Sequence, residues 1–189
     1  MRSLTEEETR VLFSKLANYT GKSLNNLIAP PSADSAEDDR HVFRLIGSRV
    51  YYMPLKLANL AVSIPRDNLL TVGTQIGKFT KTGKFRLNIT ALNVVSEHSR
   101  YKVWIKANGE MPLLYGGNVL RAHIARFSDN DIPEHSGVLI YSQNDEPLGF
   151  GICARSAQEI RKLEPTGIAV FRQADAGEWL REEDTLFTT

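Results

Sequence analysis

Two short stretches of this 189-residue sequence carry side chains suited to gripping a polyanion. The first, Gly77 to Arg86, reads GKFTKTGKFR: Lys78, Lys81, Lys84 and Arg86 interleave with Phe79 and Phe85, and two glycines let the backbone approach a ligand closely. The second, Tyr101 to Lys106, reads YKVWIK. Its alternation puts Tyr101, Val103 and Ile105 on one side of a strand and Lys102, Trp104 and Lys106 on the other. Ammonium groups neutralise phosphate while an indole stacks on a base or sugar, so this second face suits a nucleic acid. Each stretch also has a plainer reading. A hairpin with solvated lysines and buried phenylalanines accounts for the first, and a partly buried tryptophan among solvated lysines accounts for the second. The residues alone leave both readings open.

The net charge of +1 hides an uneven distribution. From Lys78 to Lys106, Lys78, Lys81, Lys84, Arg86, Arg100, Lys102 and Lys106 face a single acid, Glu97. Acid collects instead between Asp34 and Asp39, and between Asp175 and Asp184. A surface with one basic side favours a polyanionic partner. Beside the acidic C-terminal segment, Trp179 and Leu180 read as an exposed apolar pair that would anchor a basic protein partner.

Catalytic chemistry finds little support. The Gly77 stretch fails as a phosphate loop, because five residues separate its glycines and Phe85 follows Lys84 where Ser or Thr is required. Gly149 and Gly151 lack the third glycine of a dinucleotide-binding turn and sit among strand residues. His41, His98, His123 and His135 are scattered, with no pair at metal-ligand spacing. Cys153 stands alone among apolar neighbours, which suits an inert core thiol in a reducing compartment and rules out a disulfide framework. Neither metal nor other cofactor is expected. No apolar run approaches membrane-spanning length and the start of the chain is a polar helix signal, so neither secretion nor membrane insertion is expected.

The elements that position these residues follow from pattern. Thr5 to Glu8 form a capping box, opening a helix that carries Val11, Leu12, Leu16 and Tyr19 and stops at Gly21. The segment Pro30 to Asp39, PPSADSAEDD, reads as a mobile surface loop. Strands are expected over His41 to Leu45 and Arg49 to Met53, then a helix from Pro54 that buries Leu57, Leu60 and Ala61. Residues 66 to 76 fit either helix or strand. A strand from Phe85 to Ala91, odd positions inward, closes the first domain, with a boundary near Ser96. In the second domain Gly116-Gly117-Asn118 opens a helix with Val119, Leu120 and Ile124 on one face, and strands span Val138 to Tyr141 and Leu148 to Cys153 around a turn. Short strands around one small helix resemble a PUA domain, a pseudo-barrel that holds structured RNA. The fold class is therefore α+β: an N-terminal α/β domain with antiparallel strands over 1–95, then a PUA-type β pseudo-barrel over 96–189.

The segments MRSLTEEETRVLF, VYYMP, GKFTKTGKFRLNITAL, YKVWIK, NGEMPLLYGGNVLRAHI, DEPLGFGICARS and PTGIAVFRQADAGEWLREEDTL resemble, nearly end to end, the Nip-seven family of eukaryotic large-subunit ribosome-biogenesis factors. The acidic Pro30 loop is longer than that family's norm, and Gly117 stands where a bulkier polar residue is usual. The resemblance implies a non-enzymatic RNA-binding protein of the nucleus and nucleolus, acting in pre-rRNA processing and 60S assembly. It implies as partners pre-rRNA, the pre-60S particle and nucleolar 60S assembly factors, among them an rRNA cytosine methyltransferase. A protein-docking adaptor with little RNA affinity is the alternative. Lys102, Trp104, Lys106, Arg121, Arg155, Arg161, Lys162 and Arg172, all in the second domain, are the expected RNA contacts. Lys78, Phe79, Lys81, Lys84 and Arg86 are expected to meet either RNA or a protein partner.

Overall fold

The computed structural model describes residues 1–29, 40–65 and 68–182. The acidic loop expected from Pro30 to Asp39 lies outside these residues, as does the acidic segment beyond Glu182. Helix α1 (Glu6–Thr20) starts as its capping box dictates: the Thr5 hydroxyl accepts from the Glu8 N–H at 3.2 Å, and the Glu8 carboxylate accepts from the Thr5 N–H at 2.8 Å. The Arg2 guanidinium donates to the same carboxylate at 2.6 and 2.8 Å. Together Arg2 and the Thr5 amide hold Glu8 down at about 2. The stripe Leu12, Leu16 and Tyr19 is buried, while Val11 lies at its margin and stays exposed.

The first sheet has strand order β1-β2-β3-β4, all antiparallel: β1 (His41–Ile46), β2 (Arg49–Pro54), β3 (Thr74–Phe79) and β4 (Phe85–Leu87). Gly47 turns the first hairpin at φ +60°, a conformation that favours glycine. The stretch that fits either helix or strand by pattern thus contributes the start of β3. Helix α2 (Leu55–Ala61) follows Pro54 as expected, but it buries Ala58 and Ala61 and leaves Leu57 and Leu60 exposed. Ala58 packs against Tyr51 and Met53, so the helix meets the sheet through its small residues. The expected strand from Phe85 stops at Leu87. There the Thr90 hydroxyl donates to the Gln75 carbonyl at 2.6 Å, and the chain coils into a 3-10 turn (Ile89–Ala91) and α3 (Leu92–Glu97). Ile89 and Ala91 are buried all the same, so their inward side of the pattern survives on a different backbone.

The second sheet has six strands in the order β6-β10-β9-β8-β5-β7. They are β5 (Lys102–Ile105), β6 (Val119–Leu120), β7 (Ile124–Phe127), β8 (Gly137–Tyr141), β9 (Pro147–Cys153) and β10 (Ile168–Asp175), with β5 and β8 parallel and the other pairs antiparallel. Its two edge strands, β6 and β7, are joined by a single 3-10 turn, Arg121–His123, so the sheet must curl almost into a barrel. The helix expected to open at Gly116 is absent. Val119 and Leu120 instead pair with Val170 and Ile168 of β10, because an apolar run this short fits a strand as well as a helix and ladder bonds decide. The neighbouring helix, α4 (Ala107–Leu114), lies earlier. At Gly117 the N–H donates to the Pro112 carbonyl at 2.9 Å, and a Cβ there would lie 2.8 Å from the same oxygen, so the bulkier residue would force the chains apart. Helices α5 (Ala157–Ile160) and α6 (Glu178–Arg181) complete the fold. No helix among the described residues is long and apolar enough to cross a membrane.

All five residues of β8 are buried. Val138 and Ile140 point into the curled sheet with Val103, Ile105 and Val170. Leu139 and Tyr141 point out of it, and join Phe150 and Ala174 in one cluster with Leu12, Leu16 and Tyr19 of α1, Ile76 of β3 and Val95 of α3. Tyr19 meets Phe150 edge-on at 5.4 Å, Asn18 accepts from the Gly137 N–H at 3.2 Å, and the Tyr141 hydroxyl donates to the Ser96 carbonyl at 3.3 Å. We expect Leu139→Ala to cost about 2–5 kcal/mol and to lower the melting of both sheets together, seen as a single shifted transition by circular dichroism and calorimetry. The buried Tyr19 hydroxyl has no hydrogen-bond partner among the described residues, so Tyr19→Phe is expected to leave the melting temperature unchanged or raise it, by up to about 1 kcal/mol of stability.

Candidate nucleic-acid interface

The turn that closes the curled sheet places Arg121 at the seam, and β7 carries Arg126 along the sheet edge. Arg161 approaches from beyond α5, a short helix fixed by a capping box between Ser156 and Glu159. These three arginines, with Ile124, Ala125 and Phe127, line one concavity of about 380 Å³. Among the described residues no carboxylate lines it. Arg161 donates to the Asn130 amide oxygen at 2.5 Å and stands 6.0 Å from the Phe127 ring. The Arg121 Nε is buried without a hydrogen-bond partner among the described residues. Guanidiniums gathered on an apolar floor, with no lining carboxylate among the described residues, are suited to hold an anionic group such as phosphate.

Trp104 lies directly beside this concavity. On β5 it sits opposite Arg126 of β7 and Tyr141 of β8. Its indole N–H donates to Asp145 at 2.5 Å, the Arg126 guanidinium lies 4.0 Å over its ring, and the Tyr141 ring stacks 5.8 Å away. Asp145 also pairs with Arg126 at 3.3 Å, but both side chains are well exposed and the pair is weak. The half-buried indole is thus engaged by its protein neighbours and orients Arg126. Lys102 holds its ammonium 5.2 Å from the Tyr141 ring on the same strip.

The other expected contacts scatter. Lys106 is exposed at the start of α4, where its N–H donates to the His123 carbonyl at 2.7 Å, next to the Arg121 turn. Arg155 is exposed just past β9, and Lys162 is exposed beside Arg161. Arg172 does not join them. It donates to Asp175 at 2.7 Å and Glu178 at 2.6 Å, while Arg181 donates to Asp175 at 2.9 Å and to the Leu114 carbonyl, so this network ties α6 to the end of α4. Burial and the neighbouring Asp175 push the Glu178 carboxyl up, and Arg172 pulls it back.

In the first sheet, GKFTKTGKFR forms the hairpin of β3 and β4, with Phe79 paired to Phe85 and their rings 5.1 Å apart. Lys81 and Lys84 are exposed at its tip. Lys78 lies opposite Arg49 on one side and Arg86 on the other, giving a row of three cations across three strands. The Arg49 guanidinium also donates to the Gln75 side-chain oxygen at 3.1 Å, which ties this end of the row to β3. Neither Arg49 nor Arg126 stands out in the sequence. Arg49 belongs to a strand with no other charge, and the ARF of β7 has no helical or alternating signature, so only the strand register reveals either.

Burial pushes the Cys153 thiol up to about 12, and no cluster of three metal-ligating side chains occurs among the described residues.

Comparison with known proteins is consistent across the chain. Residues 1–89 match the NIP7/UPF0113 pre-PUA domain family, and residues 101–184 match the UPF0113 PUA domain family. The 60S ribosome subunit biogenesis protein NIP7 of Saccharomyces cerevisiae is 57% identical over 188 residues, covering 100% of each chain. The corresponding protein of Schizosaccharomyces pombe is 56% identical, covering 99% of this chain and 100% of its own, and the Xenopus laevis homologue is 48% identical over 98% and 99%. In fold, the chain resembles a PUA-domain protein of Aeropyrum pernix, at TM-score 0.59 and 15% identity over 96% and 89% of the two chains. A conserved PUA-domain protein of Thermoplasma acidophilum gives 0.57 and 14% over 99% of each. With the family's two domains matched in order and more than half of all positions shared with its yeast members along the whole length, this chain belongs to the NIP7 family.

Proposed function

We propose that this protein is a non-enzymatic assembly factor for the 60S ribosomal subunit that holds precursor rRNA in the arginine-lined concavity of its PUA half. The observation that carries this reading is the convergence of Arg121, Arg126 and Arg161 on one apolar-floored hollow without a lining carboxylate among the described residues. The names of its relatives as 60S biogenesis proteins and the PUA match over residues 101–184 support it. Exposed Lys106, beside the Arg121 turn, and exposed Lys162, beside Arg161, extend the positive field from which a backbone is drawn in. Arg172 is left out of this surface, since its charge is matched internally. Such a factor works where 60S precursors are built, in the nucleolus and nucleus, with the pre-60S particle as its principal partner. Docking to assembly factors there, an rRNA cytosine methyltransferase among them, is the finer expectation.

A second reading, a protein-docking adaptor, is favoured by two observations on other faces: the exposed cations Lys78, Lys81, Lys84 and Arg86 of the β3–β4 hairpin, and the exposed Trp179 and Leu180 on α6. The two readings are compatible if the PUA half meets RNA and the first sheet meets protein.

Fluorescence anisotropy with a structured, uridine-rich RNA, titrated across salt concentrations, tests the main reading. Changing Arg121, Arg126 and Arg161 together to Gln is expected to weaken binding and to flatten the salt slope by about 0.7–0.9 for each phosphate no longer neutralised. An unchanged slope places RNA elsewhere. Trp104→Ala is expected to cost stability toward the low end of the range of about 3–5 kcal/mol and to weaken RNA binding by freeing Arg126, whereas Trp104→Phe, which keeps a ring under the guanidinium, preserves binding. Weakened binding in Trp104→Ala at an unaltered melting temperature would instead mark the indole as a base-stacking platform. Changing Lys78, Lys81 and Lys84 together to Glu is expected to reduce isolated RNA affinity less than tenfold, under about 1.4 kcal/mol. The same change should sharply lower recovery of the protein with 60S precursor particles from cell extract, because like charge across a complementary interface is costly. Undiminished recovery would show the hairpin tip to be merely solvated.

A further inference from the structure

The outer edge of β1 is half used. Leu45 exchanges two backbone bonds with Arg2, at 2.9 and 3.0 Å, after which the chain turns away to begin α1. Along an antiparallel strand, successive residues aim their N–H and C=O groups at opposite edges. The Arg40 carbonyl accepts from the Leu55 N–H at 2.8 Å on the inner side, so the groups of His41 and Phe43 face outward, in line with those of Leu45. Among the described residues no backbone group pairs with them, and the Phe43 carbonyl accepts only from the Arg44 guanidinium, at 3.2 Å. Unpaired outward groups on an edge strand are a template for another strand.

Beside this edge runs a groove of about 310 Å³. One wall is apolar, made by Leu4, Leu12, Phe13 and Ile28, with Phe43 packed edge-on against Phe13 at 5.8 Å. Val42 and Arg44 present the opposite face of the sheet, and Arg40 lies at one end; among the described residues no carboxylate lines the groove.

We propose that the groove between α1 and the outer edge of β1 is a docking site for an extended protein segment of alternating apolar and acidic residues, which adds a strand beside His41 and Phe43. Main-chain bonds to the open edge supply affinity and alternate side chains supply selectivity. Apolar residues enter toward Leu4, Phe13 and Ile28, and acidic residues on the other face meet Arg44. The occupant is committed by charge complementarity: a basic segment would be repelled by the same guanidinium. The site is remote in sequence from the arginine hollow, so it stands or falls independently of RNA binding there.

The test titrates the full-length protein with a fluorescein-labelled hexapeptide alternating valine and glutamate, following anisotropy and backbone amide exchange. Two controls alternate valine with lysine, or carry N-methylated backbone amides that cannot donate. Saturable binding of the valine–glutamate peptide alone is expected, with the His41 and Phe43 amides exchanging at least about tenfold more slowly. Arg44→Glu should weaken binding by about tenfold or more, equivalent to about 1.4 kcal/mol. His41→Pro removes one outward donor at the first position of an edge strand, where proline is tolerated, and should weaken it as well while the fold persists by circular dichroism. Absence of saturable binding, equal binding of the lysine peptide, or protection confined to other strands overturns the proposal. Protection of the same amides by oligouridine assigns the edge to RNA, and concentration-dependent dimerisation abolished in His41→Pro assigns it to a second copy; either result also overturns it.

Discussion

Strand β8 is covered on both faces, and the placement of nearly everything else follows from that. One set of its side chains, Val138 and Ile140, fills the curled sheet, and the other, Leu139 and Tyr141, fills the space beneath α1 and α3. A strand so placed cannot shift register by one residue without exchanging its two cores, which pins it tightly. Its parallel neighbour β5 inherits that register, and β5 in turn sets β7 and the edge on which Arg126 sits. The arginine hollow is therefore positioned by apolar packing two strands away. Its own charges would drive it apart.

That separation of labour explains what the sequence discloses and what it withholds. GVLIY is a continuous apolar run, the mark of a strand buried on both sides, and the capping box of α1 is a local signal complete within four residues. Both are legible, as are the alternation of YKVWIK and the hairpin built on GKFTKTGKFR. The stretch from Gly116 reads as a helix, wrongly, because the spacing of Val119, Leu120 and Ile124 fits a helix face while so short an apolar run fits a strand as well, and the deciding bonds come from β10, about fifty residues on. Leu57 and Leu60 are expected inside because they are large, yet α2 is held close to the sheet by alanine.

The candidate site is legible in type and not in membership. Basic residues of the second half stand out as a group, but burial and pairing divide them. Arg172 is committed to Asp175 and Glu178, where two carboxylates beside one another need guanidinium charge to remain buried. Arg126 is unremarkable in sequence and stands at the centre of the geometry, between Trp104 and the hollow. Pairing of this kind depends on distances between residues 22 or 54 positions apart, as for Trp104 with Arg126 or Asn118 with Arg172, and no local pattern encodes it.

The shared cluster of α1 with β8, β9 and β10 also has a consequence for how the chain is made. Leu12, Leu16 and Tyr19 emerge from the ribosome early, yet the residues that cover them include Leu139, Phe150 and Ala174. The first half cannot finish burying its apolar surface until most of the second has been synthesised, and contacts so distant in sequence form slowly. During translation the α1 stripe is exposed and open to chaperones. The core shared by the two sheets is thus among the last parts of the chain to close.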